Sequence, residues 1–169
     1  MGTHYIMQIK GNYKNGVKDS IWEFFDYYGE LQQKYDFTKN ELVYYNAEND
    51  KNKKYRLVGS GSSEVLLDRP PVYIGGDALM FDTLLKNLKS KKKVTQDFCV
   101  GKMYISFNID KIGKTTNHKV FHGLEVNDNS CNEEILKAVK DLPDKWLPGI
   151  LNGKAMDVQF ILPLHLKCE

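Results

Sequence analysis

The sequence predicts an α+β protein: a C-terminal αββαβ domain, whose three-stranded antiparallel sheet is covered by two helices, preceded by a small antiparallel β-meander. Three observations carry this. Ten Tyr and eight Phe are present among 169 residues, and the tyrosines crowd into the first third between turn dipeptides; aromatic residues favour strands. After residue 70, two stretches place apolar residues at i, i+3, i+4 and i+7, the period of a half-buried helix. Three further stretches alternate apolar and polar residues, the period of a half-buried strand.

Composition bounds the class. Hydrophobic residues make up 41% and charged residues 27%, too apolar for a disordered chain and too polar for a membrane bundle. The 24 basic and 22 acidic residues nearly balance, at +2, which argues against a nucleic-acid binder that works by charge alone. No run of 18 apolar residues spans a membrane. Met1-Gly2-Thr3-His4-Tyr5 has no basic segment followed by an apolar stretch and so does not read as a signal peptide; a native signal or anchor is expected to have been removed. Cys99, Cys131 and Cys168 form no Cys-x-x-Cys pair, which leaves zinc and dithiol chemistry without support. One disulfide with a free thiol, Cys99 with Cys131 among the options, and three reduced thiols both stay open.

The first elements are short strands. Ile9 to Lys14 leads into Asn15-Gly16, the strongest short hairpin signal. Ser20 to Phe25 follows, Tyr28-Gly29 turns, Leu31 to Phe37 extends, and Lys39-Asn40 turns into Leu42 to Tyr45. Residues 46–54 are polar and turn-rich, Tyr55 to Val58 has the makings of a strand, and Gly59-Ser60-Gly61-Ser62-Ser63 reads as a flexible loop or linker. It lacks the Gly-Lys-Ser/Thr ending of a phosphate loop. A boundary is placed near Ser62, giving domains 5–62 and 63–169.

In the second domain Arg69 to Gly76 is extended, because proline biases its neighbour away from the helix. Asp77 caps a helix with Phe81, Leu84, Leu85 and Leu88 on one face. Lys86, Lys89, Lys91, Lys92 and Lys93 follow; a solvated helix end is the bland reading and an anion-binding patch the sharper one. Met103, Ile105, Phe107 and Ile109 alternate on a strand, Asp110 to Gly113 turns, and Thr116, His118 and Val120 continue on a second strand. Ser130-x-x-Glu133 is a capping box opening a helix with Ile135, Ala138, Val139 and Leu142, stopped by Pro143. In the last strand Val158, Phe160, Leu162, Leu164 and Leu166 point one way, and Gln159, Ile161, Pro163 and His165 the other. A right-handed crossover places the first strand between the other two, so the last becomes an edge strand; Pro163 agrees, since prolines in sheets sit at edges or bulges.

Catalysis finds no anchor. His118 and His122 on one strand are about 13 Å apart and cannot share an ion. Glu133 and Glu134 suit a helix start. Cys131, also at a helix start, has no base placed beside it. No cofactor or metal is expected.

Two resemblances follow from the residues. Tyr13, Asn15, Gly16, Trp22, Asp26 and Gly29 resemble one MORN repeat, with a degenerate second unit from Phe37; so few repeats are marginal alone. The second half resembles the C-terminal domain of TonB-family energy transducers over about residues 70–167. Pro71 to Gly76, with Gly75 and Gly76, resembles the segment before the family's first helix. Gly101 to Asp110 and Gly113 resemble its first strand and turn, and Cys131 to Leu136 the start of its second helix. Pro143 with Trp146, Pro148, Gly149, Asn152 and Gly153 resembles its loop signature, with one extra residue before Trp146. Phe160 to Leu164 resembles its final strand. The family's Tyr-Pro before the first strand has no counterpart in Ser90 to Gln96, and the aromatic meander stands where a transducer carries its anchor and proline-rich spacer.

What the TonB resemblance implies is a non-enzymatic module of the periplasm or cell envelope. It would bind an extended segment of an outer-membrane TonB-dependent transporter, or another envelope protein, by strand pairing, in energy transduction for transport. The edge residues would be Val158, Gln159, Phe160, Ile161, Leu162 and Leu164. The alternative is a structural envelope protein or lipoprotein whose TonB-like domain packs on the repeat segment or self-associates, a homodimer included. Neither nucleic acid nor a direct membrane span is expected.

Overall fold

The computed structural model describes residues 9–89, 100–124 and 130–166. The chain divides into two compact units, Met1–Asn52 with Tyr73–Asp82, and Lys53–Val72 with Thr83–Glu169. Cys99, Cys168 and the lysines at 91–93 lie outside the described residues, as do the side chains of Lys89 and of the cap residue Ser130.

In the first unit, β1 (Ile9–Lys14), β2 (Val17–Phe25), β3 (Leu31–Asp36) and β4 (Glu41–Tyr45) form an antiparallel sheet in chain order. Asn15 and Gly16, at φ 53° and 78°, make the tight turn whose twist matches the flanking strands. The next turn is held by Asp26, whose carboxylate accepts the Tyr28 and Glu30 amides, each at 2.9 Å. Trp22, Phe24 and Tyr35 are buried on one face. The Trp22 indole donates to the Asn12 carbonyl at 3.1 Å, and Tyr13 meets its ring edge-on at 4.9 Å. Lys18 holds its ammonium 4.0 Å from the Trp22 ring and 4.8 Å from that of Phe37, a cation–π contact that shields the rings from water.

Gln33 on the same face is 0% exposed. Its amide donates to the Tyr73 carbonyl at 3.0 Å and accepts from the Gly75 amide at 2.6 Å, so a buried polar side chain is satisfied by backbone, as low dielectric requires. Burial also pushes the Tyr73 hydroxyl up to about 12.

The second unit begins with β5 (Lys54–Leu57) and β6 (Glu64–Leu66). β7 (Val72–Tyr73) and α1 (Gly76–Lys89) follow, each with residues in both units. Then come β8 (Gly101–Ile109), β9 (Thr115–His122), α2 (Ser130–Lys140), β10 (Trp146–Leu147), β11 (Gly149–Leu151), β12 (Lys154–Met156) and β13 (Val158–Leu166). Its sheet has the order β6-β5-β13-β8-β9. One face carries Met103, Ile105, Phe107, Ile109, Val158, Leu162 and Leu164, all buried with Ile135, Ala138 and Val139 of α2. Each such side chain contributes about 1.5–3 kcal/mol by leaving water. Asn87 ties α1 to α2 through the Ala138 carbonyl at 3.2 Å. Among the described residues, no helix is long and apolar enough to cross a membrane.

This overturns the predicted α+β architecture with a three-stranded sheet. The protein is mostly β, 50% strand against 18% helix, with several antiparallel sheets and a five-stranded one among them. Two strands are added by residues on either side of Ser62. The Gly59-Ser60-Gly61 stretch is the loop of the β5–β6 hairpin, with the Ser60 amide and hydroxyl both donating to the Leu57 carbonyl at 3.2 and 2.8 Å. Tyr55, Leu67 and Val158 are buried together, with Leu57, Val65 and Phe160 around them. That apolar patch is why the hairpin docks on β13. The last strand is therefore interior where β5 reaches it: Val158 pairs with Leu57 and Gln159 with Arg56.

The turn after β8 is tightly constrained. The Asp110 carboxylate accepts the Ile112 and Lys114 amides at 3.0 and 2.9 Å. Gly113, at φ 83°, passes so near the Trp146 backbone that a Cβ would lie 1.8 Å from its carbonyl oxygen. Gly153 has a similar φ of 70° with nothing within 4 Å. Gly113→Ala is expected to cost roughly 2–4 kcal/mol, from strain and collision together. Gly153→Ala should cost about 1 kcal/mol, from the left-handed conformation alone. Urea unfolding of the two variants checks this, and equal losses would contradict the close approach.

Candidate functional site

The site the sequence singles out is β13. On one side it pairs with β8 over its full length, from Val158 opposite Ile109 to Leu166 opposite Gly101. On the other side β5 covers only Val158 and Gln159. Among the described residues, no strand pairs with that side of Phe160 to Leu166.

The direction of the backbone groups follows from one hydrogen bond. The Val58 amide donates to the Asp157 carbonyl at 2.9 Å, on the β5 side. In an antiparallel strand both polar groups of a residue address one neighbour, and successive residues alternate. Gln159, Ile161, Pro163 and His165 therefore address the β5 side, while Val158, Phe160, Leu162 and Leu164 address β8. Beyond Gln159, the open edge offers the amides of Ile161 and His165 and the carbonyls of Ile161, Pro163 and His165. Pro163 stands where its missing N–H costs the β8 ladder nothing.

Side chains sort in the same way. Val158, Leu162 and Leu164 are buried. Phe160 is half-buried among rings, 5.0 Å from Trp146, 5.5 Å from Phe107 and 6.5 Å from Tyr55. Ile161, with 38% of its surface exposed, lies on the opposite, solvated face. Gln159 shares that face and donates to the Ser106 hydroxyl at 3.2 Å.

The signature residues mostly gather near the start of this strand. Gly113 meets Trp146, and Gly149 lets the start of β11 approach Val158, where a Cβ would be 2.8 Å from the valine methyl. The Pro148 carbonyl accepts from Arg69 at 2.7 Å, and the Pro143 carbonyl from the Lys145 amide at 2.8 Å. Asn152 and Gly153, at φ 52° and 70°, turn β11 into β12, and Asp68 accepts the Gly153 amide at 3.1 Å. Gly75 and Gly76 belong to the first unit instead, Gly75 on Gln33. Sequence reasoning missed that Arg56 and Leu57 cap the start of β13. The signal was present: Tyr55-Arg56-Leu57 between a polar turn and a Gly-Ser turn reads as a hairpin arm.

The histidines do not converge. His118 stacks on Phe107 at 5.0 Å on the helix-covered face, and His122 meets Tyr104 edge-on at 6.0 Å on the other. Among the described residues, no group of three or more His, Cys, Asp or Glu is placed to hold a metal ion. Cys131 is disulfide-bonded. Burial, with Lys140 nearby, holds the His118 imidazole below its usual range, opposed in part by Asp144. No family model, curated protein or solved structure matches the chain.

Two measurements test this geometry. Amide exchange should be slow at Phe160, Leu162 and Leu164 and faster by about 100-fold or more at Ile161 and His165; uniform protection along β13 would mean that both sides are bonded. Because His118 takes up its proton less readily folded than unfolded, its contribution to stability falls as pH drops below the usual histidine range. Thermal melts at pH 7 and pH 5 should show a smaller difference in His118→Gln than in the wild type.

Proposed function

We propose that this protein is a non-enzymatic interaction module of the cell envelope that binds an extended segment of a protein partner by strand pairing along Phe160 to Leu166. The observation that carries the reading is that, among the described residues, β13 is paired along only one side from Phe160 to Leu166. A strand with a solvated row of backbone donors and acceptors, backed by a rigid ladder on its other side, is a template for β-augmentation. Backbone bonds at Ile161 and His165 supply affinity, and side chains on the two faces supply selectivity.

An outer-membrane transporter is the partner that the TonB resemblance implies, and energy transduction for transport the process it would serve. The bonded Cys131 supports an oxidising compartment such as the periplasm, since cytosolic thiols are kept reduced. A second reading draws on β5. Because a hairpin from the N-terminal half already caps Val158 and Gln159, the domain would serve as an envelope structural element, with self-association at the remaining edge.

Ile161→Pro separates these. It deletes an outward donor and leaves the β8 ladder intact, as Pro163 already does. Peptides from transporter N-termini should protect the Ile161 and His165 amides of the wild type and no longer protect the His165 amide of the variant. If peptides leave those amides unprotected while dimerisation protects them, the structural reading holds.

A further inference from the structure

The near balance of charge along the chain does not hold on the sheet. β8, β9 and β13 contain no Asp or Glu. Within the five-stranded sheet Glu64 of β6 is the sole carboxylate, and it lies 3.7 Å from Arg56. The solvated face, the one that carries Ile161, also carries exposed Lys102, Lys119, His122 and His165. Register sets them in rows: His165 is opposite Lys102, Pro163 opposite Tyr104, and Tyr104 opposite His122. On the other face, the strand that borders the open edge is apolar, with Phe160, Leu162 and Leu164.

We propose that the segment which pairs with this edge is acidic: an extended peptide in which carboxylate side chains alternate with apolar ones. This rests on the strand-pairing reading above and names the chemistry of its partner. A strand added beside β13 lies about 4.8 Å away, and its side chains alternate between the same two faces. Those opposite Ile161, Pro163 and His165 enter the solvated face, about 4.5–5.5 Å from the β13 side chain across from them. There a carboxylate meets His165 directly and comes within reach of the extended lysine at 102, with no acidic neighbour on β8, β9 or β13 to repel it. The intervening side chains turn to the face of Phe160, Leu162 and Leu164 and extend its apolar surface. A basic partner would face like charges, which lower affinity and suppress wrong partners. β9, the other long outer strand, is a poorer template: Asn117 sits at φ 55° and the register slips twice along its pairing with β8, devices that blunt an edge.

The test uses three short peptides, alternating Val with Glu, Gln or Lys, and oligothymidine as an anionic control, against the whole chain. Protection of the Ile161 and His165 amides is the readout. The Glu peptide should bind about fivefold tighter than the Gln peptide, and the Lys peptide weakest, as one or two exposed charge pairs allow. High salt should compress the order, and the double variant Lys102→Glu/His165→Glu should reverse it. Equal affinities for the three peptides would overturn the acidic preference while leaving strand pairing intact. If none protects Ile161 and His165 in a protein that melts normally, strand pairing itself fails. Tighter binding of oligothymidine, shifting Tyr104 and Lys119 without protecting those amides, would overturn the proposal in favour of a nucleic-acid face.

Discussion

The ladder between β8 and β13 is the interaction on which the second unit depends. Nine residues of each strand face one another without a slip, from Val158 opposite Ile109 to Leu166 opposite Gly101. Because side chains alternate with a period of two, that register alone sends Met103, Ile105, Phe107 and Ile109 to the helices together with Val158, Phe160, Leu162 and Leu164. A shift of β13 by one residue would put Val158, Phe160, Leu162 and Leu164 in water and Gln159 and His165 in the core. Neighbouring features serve this pairing. Gly149 lets the start of β11 lie against Val158. Gly113 lets the turn after β8 lie against Trp146, whose ring in turn packs on Phe107 and Phe160.

The two units solve the same problem with different chemistry. The first packs rings edge-on and covers them with the Lys18 ammonium, and uses Gln33 to hold the backbone of Tyr73 and Gly75. The second packs branched aliphatic side chains between a sheet and helices, and gathers Tyr55, Phe107 and Trp146 around Phe160. A ring-based sheet tolerates short strands, because each aromatic residue buries a large area and adds directional contacts of its own.

Much of this was legible in the sequence, since it depends on neighbours in the chain. Asn15-Gly16 and Asn152-Gly153 are turns because few other dipeptides accept two positive φ angles. The faces of β8 and β13 follow from alternation. The architecture was not legible to the same degree. The sequence predicts three strands and an outer last strand, yet the sheet has five and β13 lies inside it for two residues. The cause is the hairpin of Lys54–Leu57 and Glu64–Leu66: both strands are short, each mixes charged and apolar residues, and their stabilisation comes from Val158 and Phe160, about a hundred residues later in the chain. A contact of that kind leaves no local period to find. The outward direction of Ile161 and His165 likewise needed a bond between Val58 and Asp157 that spacing does not reveal. Gln33 is a further case, since a polar residue at an alternating position reads as solvated until Tyr73 and Gly75 are placed beside it.

The position of β13 in the chain bears on how this sheet is assembled. β5–β6 and β8–β9 are hairpins, each made of sequence neighbours and able to form early, because local contacts close small loops. The strand that joins them follows both in the chain and is synthesised after them. Until it arrives, β5 and β8 each lack the neighbour they share, and four strands wait as two separate pairs. Synthesis of β13 is then the step that turns two hairpins into one sheet, and a chain that stopped near Asp157 would retain both hairpins but lose the strand that makes them a domain.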